Sequence, residues 1–433
     1  MDALARRRAI AVVFAVVFID LLGFSIVIPI LPFYTRFFGG NELVIGALAA
    51  TYSLMQFLFA PLLGSLSDRY GRRPVLMLSV SGSVVAWTLF GLANGLTLLF
   101  VARGLAGAMG GNIATAQAYI ADITPPEERA RALGLLGAAF GLGFIFGPGI
   151  GAVLSFDAVV AFVDGVVPDI VPITRFSLPA FAAAFASLFA VILAYFRLPE
   201  SRVKAEGARQ SQWAQLVEAL RNADVRGLLV SFFLLSFAFS GVQIMFIPFV
   251  ADIYGYTESQ SALLLTYIGV LAVIVQGVLI GPLTRRYSEK SLTLASMGLL
   301  ALALGGIPLT PELGVLFPDL TGLVGFLTPA LLALLFVLGL LALGNGVVNV
   351  TLTALVSAKA SSDRQGSAFG LTQGAGSLAR TVGPVVMGAA YAGIDYWAPF
   401  LLGTLVLLPT LALATRLSTG SGETVPADPG HVR

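Results

Sequence analysis

Twelve apolar runs follow one another along the chain, and the gaps between them alternate between arginine-rich and arginine-poor. That alternation restricts the fold more than any single motif does. The runs start near Ala9, Leu43, Val75, Leu96, Ala132, Leu178, Arg226, Ser261, Leu292, Thr328, Ala368 and Pro399. Many exceed the roughly 20 residues that a membrane helix needs. Only 11% of the 433 residues are charged, against about 25% in soluble domains. The sequence therefore predicts an all-α polytopic membrane protein of twelve transmembrane helices and argues against a soluble multidomain chain. The run from about Ala9 to Phe33 is too long for the apolar core of a signal peptide and lacks a small-residue cleavage site, so it reads as a retained helix.

Charge placement gives the orientation. With the N-terminus and alternate gaps on one face, that face collects 21 of the 25 Lys and Arg, while the other holds Arg36 and Arg175. Arg103 and Arg380 fall inside spans. The positive-inside rule then puts both termini in the cytoplasm, as expected of a protein in the cytoplasmic (inner) membrane. Cysteine is absent, which excludes disulfides and thiol chemistry, and the single histidine, His431, lies in a polar tail. Neither a histidine relay within the membrane nor a metal site is expected.

The chain divides into two six-helix halves, 1–197 and 226–416. A charged linker, 198–225, joins them and holds a surface-helix candidate from Gln212 to Arg221; a polar tail, 417–433, follows. The halves repeat each other. "LPFYTRFFG" at Leu31 aligns with "IPFVADIYG" at Ile247, and "GSLSDRYGRRPVLM" at Gly64 with "GPLTRRYSEKSLTL" at Gly281. "ERARALGLLGAAFGLGFIFGP" at Glu128 aligns with "RQGSAFGLTQGAGSLARTVGP" at Arg364. Such repeats are typical of transporters whose sites lie between halves near the midplane.

Asp20 is the sharpest single residue. It lies about eleven residues into the first span, hence about 16 Å along the helix, near the middle of a roughly 30 Å hydrocarbon core. A carboxylate there is expensive and by default marks a functional site, here one that binds and releases a proton. The plainer reading is a neutral, hydrogen-bonded structural acid. Polar residues in other spans outline a substrate cavity: Tyr52, Gln56, Asn112, Gln117, Ser240, Gln243, Gln276, Asn345, Asn349 and Arg380. Such groups also serve simply to join helices. Their apolar surroundings favour a lipophilic or amphipathic substrate over a sugar.

The pattern Gly64-x-x-x-Asp68-Arg69-x-Gly71-Arg72-Arg73 resembles the signature loop of the major facilitator superfamily. "RGLAGAMGGNIATAQAYIADITPPEERARALG" from Arg103 and "GLGFIFGPGIGAVL" from Gly141 are similar to the fourth- and fifth-span motifs of its drug:proton antiporters. "LPES" at Leu198, "DRQGSAFG" at Asp363 and the Asp20-x-x-Gly23 setting resemble tetracycline-exporter-like members. The resemblance implies the major facilitator fold in two pseudo-symmetric halves. It implies a gating role for Gly64, Asp68, Arg69, Gly71, Arg72 and Arg73, with Asp68 near the eleventh span. Asp20 and Arg103 become the proton-coupling pair. Gly143, Gly147, Pro148 and Gly151 become a packing motif against the eighth span. Gly64 itself is expected to let the second span approach a neighbour closely.

One departure matters. Tetracycline exporters carry further polar groups in the third, eighth and ninth spans, where this chain has Ala86, Ala272 and Leu300, although Gln276 matches a family glutamine. A substrate other than tetracycline is therefore favoured. The expected function is proton-coupled efflux by antiport, with no catalysis, no cofactor and a proton gradient as driving force. The expected partners are a small lipophilic substrate, protons and membrane lipids, with no nucleic acid, and the expected state is a monomer. The alternative is a metabolite or organic-anion exporter or facilitator. A remoter one is a membrane enzyme using Asp157, Asp164 and Asp169, or a receptor.

Overall fold

The computed structural model describes residues 3–168, 171–201, 223–359 and 365–416. The proposed surface helix of the linker and the polar tail lie outside these residues. The described residues form helices and contain no strand. Twelve long helical segments run α1 (Ala3–Val27), α2 (Glu42–Tyr70), α3 (Arg72–Gly91), α4 (Leu96–Ile123), α5 (Pro126–Leu154), α6 (Ser177–Arg197), α7 (Ala223–Tyr254), α8 (Glu258–Arg286), α9 (Glu289–Gly306), α10 (Pro329–Lys359), α11 (Gln365–Gly393) and α12 (Ala398–Arg416). The first ten are long and apolar enough to cross a membrane by composition alone. The glycine- and serine-rich α11 instead lies packed between α2 and α7, and α12 packs on α7 and α9. Helices suit this solvent because each satisfies its own backbone polar groups. Large apolar side chains such as Phe185 and Phe196, both 73% exposed, coat the outside of α6 as a lipid-facing surface requires.

The repeat read from the sequence reappears as packing. In the first half α1 packs on α5 and α6, α3 on α4 and α6, and α2 on α4; in the second α7 packs on α11 and α12, α9 on α10 and α12, and α8 on α10. Aligned residues share details. Gly39 and Gly255 both end helices with positive φ, +78° and +67°. Such φ values are ones that only glycine adopts cheaply. Arg69 lies over the Tyr70 ring as Arg286 lies over Tyr287. A Cβ on Gly147 would strike the Ser25 hydroxyl, and one on Gly383 would strike that of Ser240. One buried apolar cluster is built from residues 235–407 together with Ile45, and two others from residues 9–198.

The halves meet through α2 with α11 and α5 with α8, and the described contacts concentrate toward the arginine-poor face. There a Cβ on Gly46 would collide with the Pro384 carbonyl, and one on Gly388 with the Glu42 carbonyl. Gly269 approaches Phe144 and Ile145, and Ser259 Oγ donates to the Ala152 carbonyl at 3.0 Å. Toward the arginine-rich face a Cβ on Gly64, Gly134, Gly137, Gly277, Gly281 or Gly374 would meet nothing within 4 Å. The close helix approach expected at Gly64 is not seen among the described residues. Among the described residues the close contacts between the halves thus gather at the arginine-poor end.

Candidate transport site

Asp20 lies on α1 at 9% exposure. Ser83 Oγ, near the middle of α3, donates to its Oδ1 at 2.8 Å, and Asn112 Nδ2 of α4 donates to Oδ2 at 3.2 Å. Three helices therefore converge on one carboxyl group. Both partners donate, which fits the ionised form. The Ser83 hydroxyl can turn to accept when the acid is protonated. Placed among cavity residues by the sequence, Asn112 is in fact 1% exposed and serves Asp20.

A local break in α4 sets Asn112 in place. Helical bonding stops at Gly110–Gly111 and restarts at Asn112. The interruption frees backbone carbonyls, which must find partners at this depth. The Gly110 carbonyl accepts from Gln56 Nε2 at 3.0 Å, and the Met109 carbonyl from Ser79 Oγ. The glycines let α2 and α4 touch backbone to backbone. A Cβ on Gly107 would strike the Tyr52 carbonyl, and one on Gly111 would sit 2.9 Å from the Ala60 backbone. Gln56 thus acts here as a clasp between helices.

Arg103, which the resemblance gives a proton-coupling role with Asp20, forms no ion pair with it among the described residues. Its guanidinium lies over the Tyr52 ring at 4.7 Å and the Phe24 ring at 5.6 Å. Phe24 in turn contacts Phe144 at 6.1 Å between centroids. Arg380, half-buried on α11, donates to Ser377 Oγ at 3.1 Å. Of the remaining cavity candidates, Ser240 donates to the Phe237 carbonyl and is 2% exposed, so it packs α7 against α11. Asn349 Nδ2 donates to Asn345 Oδ1 at 2.9 Å on an exposed face of α10. Gln117 and Gln276 are exposed, and Gln243 is half-buried. Gln276 sits on a π-helical turn, Val275–Leu279, within α8.

At the arginine-rich face Arg72 is the centre of the loop. It is 6% exposed and pairs with Asp68 at 2.6 Å and with Asp122 at 3.0 Å. The acid that meets the N-terminus of α3 is Glu200 of "LPES". Its oxygens accept from the backbone N–H of Arg72 at 2.9 Å and of Arg73 at 3.2 Å. Gly71, at φ +106°, makes room for it, since a Cβ there would lie 2.6 Å from Glu200. Arg73 donates to the Tyr195 carbonyl at the end of α6. Exposed Arg69 lies over Tyr70. The expected neighbourhood of Asp68, the near end of α11, falls on side chains outside the described residues. Because Glu200 satisfies two donors of a helix start, Glu200→Ala is expected to cost about 1–2 kcal/mol. A thermal melt of the purified protein checks this.

The two arginines of the sparse face each reach across to the other half. Arg36 forms a two-pronged pair with Asp252 at 2.7 and 2.8 Å, and holds Glu42 at 2.6 Å. Tyr391 donates to the same Asp252 at 2.6 Å. Arg175 pairs with Asp157 at 3.2 Å and approaches Glu258, on α8, at 3.8 Å. From the sequence these arginines counted only as topology.

The fifth-span motif needs a correction. Gly143, Gly147 and Gly151 recur every four residues and face α1, not α8. Cβ atoms on them would meet Leu21, Ser25 and Ile26, and Ser25 Oγ donates to the Gly143 carbonyl at 2.6 Å. Contact with α8 comes from the neighbouring face, through Gly149 against Thr266. The helix runs unbroken through Pro148.

A repeated helical membrane protein with a buried acid at mid-span and charge clusters at both ends defines a transporter. Residues 13–384 match the family model described as Major Facilitator Superfamily, and the chain belongs to that family. It is 31% identical over 393 residues to the class C tetracycline resistance protein of Escherichia coli, covering 89% of this chain and 90% of that one. It is 26% identical over 404 residues to multidrug resistance protein 2 of Bacillus subtilis (strain 168), covering 92% of each. Among solved structures it matches a bacterial homolog to the human lysosomal transporter Spinster in an inward-facing and occupied conformation. There the TM-score is 0.71 at 13% identity, with 96% of each chain covered.

Proposed function

We propose that this protein exports small lipophilic or amphipathic compounds from the cell in exchange for protons. It works by alternating access as a monomer in the cytoplasmic (inner) membrane, with both termini in the cytoplasm. The observation that carries the reading is Asp20, a mid-span acid held by donors from α3 and α4. Among the described residues every other Asp or Glu lies near a helix end or in a connection. The resistance proteins among its relatives support efflux. We read the arginine-rich face, cytoplasmic by the positive-inside rule, as the open one in this state. In this state substrate enters from the cytoplasm while Asp20 loses its proton there. Closure then requires the loop of Asp68, Arg69, Arg72 and Arg73 to engage the second half, and the Arg36–Asp252 pair to part. Reloading of Asp20 from the proton-rich side drives the return.

Ala86, Ala272 and Leu300 stand where tetracycline exporters are polar, which favours a different substrate from that of the class C relative. The test uses purified full-length protein in liposomes holding a pH-sensitive dye, with a panel of lipophilic cations, antibiotics and organic anions. Proton movement evoked by at least one compound is the expected result. Flux that neither moves protons nor responds to a pH gradient would replace the antiporter by a facilitator.

A further inference from the structure

The charges deep within the spans do not balance. Asp20 takes its hydrogen bonds from neutral groups, so neither Arg103 nor Arg380 has an acid for a partner among the described residues. Arg103 is 3% exposed, and its Nε and Nη1 are buried without any hydrogen-bond partner. Two aromatic faces attract its charge, but they leave those two donors unsatisfied. An unpaired buried guanidinium is costly and calls for an explanation. Around it Phe24, Tyr52 and Phe144 form an apolar aromatic wall, with Phe24 and Tyr52 centroids 4.6 Å apart. In the other half Arg380, also inside a span, donates to Ser377 Oγ on its own helix at 3.1 Å.

We propose that the transported compounds include amphipathic organic anions, whose acidic group is taken by Arg103, with Arg380 as the second guanidinium, and whose apolar body lies on Phe24, Tyr52 and Phe144. A planar guanidinium with two free donors matches a carboxylate or sulfonate. The inference rests on the exporter reading of the same cavity. An anion bound by Arg103 on α4 and Arg380 on α11 also touches both halves, so it can bias their closure.

The test measures binding to the full-length protein in nanodiscs of neutral lipid. The probes are 1-naphthoate, 1-naphthamide and 1-naphthylmethylammonium, alike in shape and different in charge. The anion is expected to bind at least about tenfold tighter than the amide, the difference that one charge-assisted contact supplies. Arg103→Gln and Arg380→Gln should each remove that preference, and Arg103→Lys should keep part of it. Arg380→Gln keeps the test decisive if the buried Arg103 variant fails to fold. Equal or tighter binding of the amide or the cation overturns the inference. So does an anion preference that survives both glutamine variants, or no binding of any probe. Displacement of naphthoate by phosphatidylglycerol would assign the site to a lipid headgroup and overturn it too. Proton-coupled flux of a cation through Asp20 alongside any of these would leave the exporter reading intact.

Discussion

Asp20→Asn is expected to abolish substrate-evoked proton movement while leaving the protein folded. Asparagine has the same shape and still offers an oxygen to one donor. The Ser83 hydroxyl can reorient to accept from the new amide. What disappears is the only mid-span carboxyl group among the described residues. Flux driven by a pH gradient should fall by about 100-fold, the scale on which loss of a proton-transfer group acts. Exchange of substrate at equal pH should survive, because it needs no net proton transfer. Both are read in the same liposomes, with substrate counterflow beside the internal dye. A variant that still couples would remove Asp20 from the cycle and leave it a structural acid.

Gly46→Val should prevent closure at the arginine-poor face. A Cβ at this position would run into the Pro384 carbonyl and lie 3.3 Å from the Val385 Cα, and neither backbone can turn aside. Overpacking of this kind costs about 1–3 kcal/mol or more. That is enough to shift a two-state equilibrium about tenfold to a hundredfold. Because the chain has no cysteine, an Ile45→Cys reporter can be added without removing other thiols. Ile45 is fully buried here, within the cluster of the second half. The reporter should be protected in the parent and alkylated rapidly with Gly46→Val, and transport should be lost. Gly64→Val, whose Cβ meets nothing within 4 Å in this state, should leave the reporter protected. Protection in the Gly46→Val protein would show that the α2–α11 contact does not form the closure.

Much of this was legible in the sequence because membrane helices announce themselves by length and composition. The alternation of arginine-rich and arginine-poor gaps marked where the spans end, and Asp20 stood out as a charge where charge is expensive. What stayed hidden was which faces meet. In a span that is apolar all round, periodicity does not point to a partner, so Gly143, Gly147 and Gly151 could not be assigned to α1 over α8. Ser83 gave no local signal beyond a small polar row with Ser79 in α3. The break at Gly110–Gly111 had a signal, two adjacent glycines followed by Asn112, but nothing in the chain says that Gln56 and Ser79 stand opposite to accept the interruption. The two sparse-face arginines illustrate the same limit: besides their local acids Glu42 and Asp157, their partners in the other half lie 216 and 83 residues further on.

The Arg36–Asp252 pair joins positions that correspond in the internal repeat. Equivalent residues of two related halves can touch only near the axis that relates them, just as a residue on a dimer axis meets its own copy. Two identical halves would therefore bring arginine against arginine, or aspartate against aspartate, and the clasp would repel itself. Opposite charges at this one place require the halves to have diverged. An ancestral pair of identical halves could not have fastened itself in this way, and a protein rebuilt from two copies of either half should spring open there.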